Sequence, residues 1–154
     1  DNQEDAKNQS RLLDALRQRL GADSVRQIKP VESHIPERAE VFSKADSAKT
    51  SWPHDMGHAR PPLLLPQAEP AEVTALIPDG PPRRFRWRGK LHDVAAALGP
   101  ERIAPEWWRS SALALTRDYY CVENTAGQRF WLYRDGLYGR ETDAPRWFVH
   151  GLFA

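Results

Sequence analysis

In Arg84-Phe85-Arg86-Trp87-Arg88-Gly89-Lys90 a cationic side chain stands at every second position. On an extended chain alternate residues share a face, so Arg84, Arg86, Arg88 and Lys90 line up roughly 6.5 to 7 Å apart, close to the repeat of a phosphate backbone. Phe85 and Trp87 then take the opposite face. With Trp87 or Trp107 as a stacking platform, such a row can hold single-stranded DNA. It fits an acidic protein surface as well, or a solvated edge strand guarded by charge. Trp107-Trp108 is the second candidate contact. Neighbouring rings on a strand cannot both face inward, and exposed tryptophans mark interfaces. Burial of both rings at a bend under a proline-rich arm is the other arrangement the sequence allows.

The residues that could support catalysis do not combine into a site. His54 and His58 are four apart, a metal-sharing distance on a helix, but Pro53 and Gly57 oppose a helix and no third ligand is near. The pair reads as chance within a linker. Cys121 is the single cysteine, so no disulfide or cysteine-rich zinc site can form, and between Tyr120 and Val122 it reads as core packing. Asp118 and Glu123, five apart on one expected strand, fall on opposite faces. With no nucleophile elbow, phosphate-binding glycine loop or zinc framework, neither enzyme activity nor a cofactor is expected.

The elements that must position these residues are mainly β. Asp118 to Glu123 and Arg129 to Arg134, rich in Tyr, Val, Phe and Trp, form the clearest hairpin, joined across Asn124-Thr125-Ala126-Gly127. A strand over Arg84 to Arg88 turns at Gly89-Lys90 into Leu91 to Leu98, whose apolar spacing fits strand or helix; the short turn favours strand. Ile103 to Arg109 carries the tryptophan pair, and a last strand spans Arg146 to Leu152. The expected fold is α+β and mainly β: a small aromatic-rich antiparallel sheet or partly closed barrel over 83–154, preceded by a short amphipathic helix and a proline-rich arm.

That helix runs from Ser10, as its cap, to Leu20, with Gly21 closing it. Leu12, Leu13, Leu16 and Leu20 form its apolar stripe, and at this length the stripe must pack on something. A brief strand over Val25 to Ile28 completes the segment 1–29. Residues 30–60 read as a flexible linker. Eight prolines, Pro53, Pro61, Pro62, Pro66, Pro70, Pro78, Pro81 and Pro82, crowd one central stretch, which argues against helix or central strand there and makes 61–82 a proline-rich arm. Leu63, Leu64 and Leu65, between Pro62 and Pro66, suggest an extended segment that inserts into a groove, and Val73 to Ile77 a short strand. Leu12, Leu16, Leu20 and Leu63 to Leu65 are thus the candidate apolar docking residues.

The net charge of +1 conceals a gradient. Residues 61–82 hold three acidic side chains and no basic one, whereas 83–154 hold twelve basic against eight acidic. The excess in the tail mildly favours an anionic partner. No apolar run approaches the roughly 20 residues of a membrane span, and cysteine usage fits a reducing, cytoplasmic setting. A first residue other than Met is expected of a fragment or of a processed chain.

Six ordered blocks resemble the C-terminal region of the ImuB family, polymerase-like scaffold proteins of bacterial translesion synthesis. They are Leu76-Ile77-Pro78-Asp79-Gly80-Pro81-Pro82, Arg84-Phe85-Arg86-Trp87-Arg88-Gly89, Gly99-Pro100-Glu101-Arg102-Ile103-Ala104-Pro105-Glu106-Trp107-Trp108, Thr116-Arg117-Asp118-Tyr119-Tyr120, Phe130-Trp131-Leu132-Tyr133-Arg134-Asp135-Gly136 and Trp147-Phe148-Val149-His150-Gly151-Leu152-Phe153-Ala154. Leu12-Leu13-Asp14-Ala15-Leu16 and Ser33-His34-Ile35-Pro36-Glu37-Arg38-Ala39 are similar to that family's connection between core and tail. The resemblance implies a non-catalytic interaction module in SOS mutagenesis, docking an ImuA-type RecA-like protein, an error-prone C-family DNA polymerase, or both. It also implies a sliding-clamp contact, through a motif that no block here supplies. A small single-stranded DNA-binding β domain is the alternative.

Overall fold

The computed structural model describes residues 2–45, 51, 60–77, 79–109 and 114–153. The chain divides into two compact units, Asp1–Met56 and Gly57–Ala154.

In the first unit, helix α1 spans Asn2–Leu20 and so begins well before Ser10. Ser10 is no cap: its hydroxyl donates to the Ala6 carbonyl at 3.0 Å from within the helix. The added turns carry no apolar period, but Glu4 and Asp5 at the start and Arg17 and Arg19 at the end suit the helix dipole. Gly21, at φ 92°, closes the helix, its N–H donating to the Arg17 carbonyl at 2.9 Å. Strands β1 (Arg26–Pro30) and β2 (Glu40–Lys44) pair antiparallel, with Ile28 opposite Phe42. β2 lies inside the stretch that reads as linker; five residues with no long period become a strand because β1 supplies the backbone partner. Arg17 Nη2 donates to the Ala45 carbonyl and ties the helix to the end of this ribbon.

The second unit is a closed six-stranded barrel. β3 (Leu63–Ala75), β4 (Pro82–Trp87), β5 (Lys90–Ile103), β6 (Arg117–Asn124), β7 (Arg129–Asp135) and β8 (Arg146–Phe153) each pair antiparallel with the next, and β8 returns to β3. The two longest strands, β3 and β5, are shared. Residues 63–71 of β3 bond to β8 and residues 72–75 to β4; β5 bonds first to β4 and then, from Val94, to β6.

This sharing corrects the expectation that prolines bar 61–82 from a strand inside the sheet. Pro66 falls within the register shift between Leu64 and Glu69, and Pro70 lies where β3 bonds to β8 alone, so neither interrupts a ladder on both edges. β5 takes the strand alternative. It bends at two irregularities, and at the second Gly99 sits at φ 140°, where a β-carbon would come within 2.6 Å of the Tyr119 carbonyl.

Alternation on the strands builds two layers. Leu65, Phe85, Trp87, Tyr120, Val122, Phe130, Leu132 and Val149 fill the barrel. The residues between them point outward, yet Tyr119, Trp131, Tyr133 and His150 are also buried. Tyr119, Trp131 and His150 stack across β6, β7 and β8 and Tyr133 meets His150 edge to face, with Tyr119 and Trp131 centroids 4.1 Å apart and the Tyr119 hydroxyl 2.8 Å from His150 Nδ1. The segment before β3 packs over this layer. Arg60 lies 5.0 Å from the Trp131 centroid and makes two bonds of 2.5 and 2.6 Å to Glu101, and Pro61 lies so close to Gly151 that a β-carbon there would meet it at 2.4 Å. The expected core role of Cys121 is partly met: it is half-buried on the outward side, and burial pushes its thiol pKa up.

Candidate functional site

Three surface features of the barrel unit carry chemistry, and the strand register sets each of them.

The first is the arginine row on β4. Arg84, Arg86 and Arg88 do project from the barrel while Phe85 and Trp87 fill it. The neighbouring strands, however, meet each guanidinium with a carboxylate: Arg84 with Asp93 at 2.5 Å, Arg86 with Glu72 at 3.5 Å, and Arg88 with Glu69 through bonds of 2.8 and 2.6 Å. Glu69 also accepts from Trp87 Nε1 at 2.9 Å. Its hydrogen bond from Arg88 holds the Glu69 carboxyl below the usual carboxylate range and raises the Arg88 guanidinium in turn. The row is therefore paired from both neighbouring strands, by Glu69 and Glu72 of β3 and by Asp93 of β5.

Lys90 differs: among the described residues no carboxylate pairs with it. It borders a cavity of about 500 Å³ at one end of the barrel, lined by residues that include Arg88, His92, Gln128, Arg129 and Phe153. A network built on the β6–β7 turn fixes the protonation of His92. Asn124 Oδ1 accepts the N–H groups of Ala126 and Gln128 at 3.0 and 2.9 Å, which orients its amide. Asn124 Nδ2 therefore donates, to Gln128 Oε1 at 3.1 Å and to His92 Nδ1 at 3.0 Å. His92 Nδ1 must accept, leaving Nε2 as the N–H donor. Burial, with the Lys90 charge beside it, lowers the His92 pKa and keeps the ring neutral. Sequence reading missed His92, Asn124, Gln128 and Arg129. The Arg88-Gly89 turn held a usable signal, because it fixes the register that sets His92 against Phe85, where the rings stack at 4.7 Å.

The second feature lies at the other end. Asp118, fully buried, receives Arg102 through bonds of 2.7 and 3.0 Å and Arg134 through one of 2.7 Å. Burial alone would raise the Asp118 pKa, but the bonds from Arg102 and Arg134 together take it below its ordinary value. Arg102, Arg134, Arg140 and Asp79 border a smaller cavity of about 210 Å³.

The third is the turn after β5. Trp107 and Trp108 do not lie on a strand; they stand edge to face, centroids 5.7 Å apart, and are 82% and 59% exposed. Glu106 beside them is buried and anchors the turn, its carboxylate 3.8 Å from Arg109.

Among the apolar candidates, Leu63 is exposed, Leu64 is half-buried and Leu65 belongs to the core. Leu12 and Leu20 of α1 are exposed and Leu16 is half-buried. His54 and His58 lie outside the described residues. Among the described residues, no three His, Cys, Asp or Glu side chains gather as a metal site, and no helix is long and apolar enough to cross a membrane.

A closed antiparallel barrel of six strands, with a cationic cavity at one end and a projecting tryptophan pair, defines the class as a small β-barrel domain. The chain belongs to the family described as Domain of unknown function (DUF6504), which matches residues 64–153. It is also 44% identical over 149 residues to Protein ImuB of Caulobacter vibrioides, in strains NA1000 / CB15N and ATCC 19089 / CIP 103742 / CB 15. That alignment covers 92% of this chain and 32% of each relative, so the chain spans about a third of the length of the curated relatives it matches. The resemblance to ImuB read from the sequence blocks therefore holds across the chain. No solved structure matches it.

Proposed function

We propose that this chain is a non-catalytic protein-interaction module of an ImuB-like scaffold in translesion synthesis, and that it docks an ImuA-type RecA-like protein, an error-prone C-family polymerase, or both. The observation that carries the reading is the tryptophan pair. Two large rings held out on an anchored turn, more than half exposed, are costly to leave in water and are the residue type most enriched at binding hot spots. The 44% identity to ImuB supplies the assembly in which such a surface would work. Barrel closure supports side-chain docking over strand addition, since β3 to β8 are all paired around the ring. The ion-paired arginines of β4 weigh against the alternative, a single-stranded DNA groove along that face.

Co-purification tests the proposal. The chain, tagged and co-expressed with the ImuA-type protein and the C-family polymerase of the same organism, should retain at least one of them, and Trp108→Ala should release it. Retention of neither, together with intact damage-induced mutagenesis in a full-length Trp108→Ala protein, sinks the docking reading.

A further inference from the structure

The cavity between the β4–β5 and β6–β7 turns has a composition that selects its occupant. Its lining includes three cationic side chains, Arg88, Lys90 and Arg129, and no carboxylate among the described residues. Arg88 is held by Glu69, but among the described residues Lys90 has no such partner. His92 adds a defined donor. Its Nδ1 is occupied by Asn124, so its remaining N–H, on Nε2, belongs to a buried residue, 5% exposed, that lines the cavity and has no other hydrogen-bond partner among the described residues. Phe130, Leu152 and Phe153 make the apolar wall. A site with cations, a neutral donor and an apolar wall is complementary to an acceptor anion attached to an apolar group.

Nucleic acid satisfies the anion but not the wall. Trp87 and Phe130 are 9% and 4% exposed, the Arg88 guanidinium covers Trp87 at 4.5 Å, and Arg129 lies over Phe153 at 5.5 Å. Trp87 and Phe130 are thus too enclosed to give a base the open ring face it needs for stacking. The cations that would extend a phosphate track, Arg84 and Arg86, are already paired.

We propose that the cavity receives an aspartate or glutamate side chain of a partner polypeptide at Lys90 and His92, with the adjoining apolar side chain seated on Leu152 and Phe153. This rests on the reading that the chain docks proteins, and it adds a second contact, at a site other than the tryptophan turn.

The test uses the full 154-residue chain, isotope-labelled, and three probes: acetyl-Gly-Asp-Ile-Leu-Gly-amide, its Asn analogue, and octathymidylate. The Asp peptide should shift the resonances of Lys90, His92, Gln128 and Arg129. The Asn peptide should bind at least tenfold more weakly, and Lys90→Gln, a change at an exposed position, should weaken the Asp peptide by a similar factor. Equal binding of the Asp and Asn peptides, no response to either, or a response to octathymidylate alone overturns the proposal, the last outcome in favour of nucleic acid. The docking reading fails separately. If the Asp peptide binds but neither partner is retained, the named partners fall and the cavity stands. If retention needs Trp108 and survives Lys90→Glu with no peptide response, the cavity falls and docking stands.

Discussion

Replacing Asp118 with Asn removes one charge from the most enclosed ion pair of the barrel and changes almost no volume. The Asp118 side chain is 1% exposed and that of Arg134 is 3% exposed, so Arg134 loses its short partner where water cannot replace it. Breaking a buried pair from one side costs about 3 to 5 kcal/mol. The lower end applies here, because Asp79 stays 3.5 Å from Arg134 and because Arg102, half exposed, can turn to solvent. A loss of about 3 kcal/mol in a domain of this size lowers the melting temperature by about 12 to 24 °C. Thermal and urea unfolding followed by circular dichroism would measure it. Arg102→Ala should cost much less, about 1 kcal/mol, and the pair Asp118→Leu with Arg134→Met should recover most of the loss. The pH sense follows from the lowered Asp118 pKa: its contribution is complete above the ordinary value of 3.8 and is lost as pH falls through the lower folded value. Were Asp118→Asn to cost under about 1 kcal/mol, or the double variant to be as unstable as the single one, the buried-pair reasoning would be wrong.

His92 gives the opposite end of the barrel its own pH signature. Because its pKa is lowered on folding, the unfolded chain binds the extra proton, so stability should fall as pH drops below about 6.5, by up to about 1.4 kcal/mol per unit, and His92→Gln should remove that component. Trp107→Ala and Trp108→Ala should leave the unfolding midpoint within about 0.5 kcal/mol of wild type, since both rings are exposed; a large loss would place them in the core instead. Gly99→Ala should cost about 1 to 3 kcal/mol, through its φ of 140° and the clash with the Tyr119 carbonyl, measured by the same denaturation curves. Arg86→Ala should leave any single-stranded DNA affinity and its salt slope unchanged, as Glu72 already pairs with it; a slope smaller by about one would return the arginine row to the DNA reading.

Period-two alternation with dense aromatics made the β6–β7 hairpin and the two faces of β4 legible in the sequence, because local pairing and side-chain burial act there in the same direction. β3 was not legible. Its prolines speak against a sheet interior, and only the division of its two edges between β8 and β4 makes them harmless. The same misreading hid the fate of the arginines, because Glu69 and Glu72 lie in the segment set apart from the barrel and become neighbours of Arg88 and Arg86 only through strand pairing. The outward layer of Tyr119, Trp131, Tyr133 and His150 was hidden for a related reason. Alternation assigns one face to solvent, and nothing local announces that Arg60 and Pro61 will cover it. The tryptophan pair was visible as an interface candidate, whereas the His92 cavity depends on a side-chain network across two turns.

The closing pair of the barrel also has a mechanical consequence. Leu63 stands opposite Leu152 at the seam between β3 and β8, so the chain enters and leaves the ring at adjacent points. A force applied between residues 60 and 153 would load that seam as a zipper, one rung after another, and would not spread across all its rungs in shear. The Arg60–Glu101 clamp and the Pro61–Gly151 contact sit where the unzipping would start. They would act as the latch that holds the ring closed under tension.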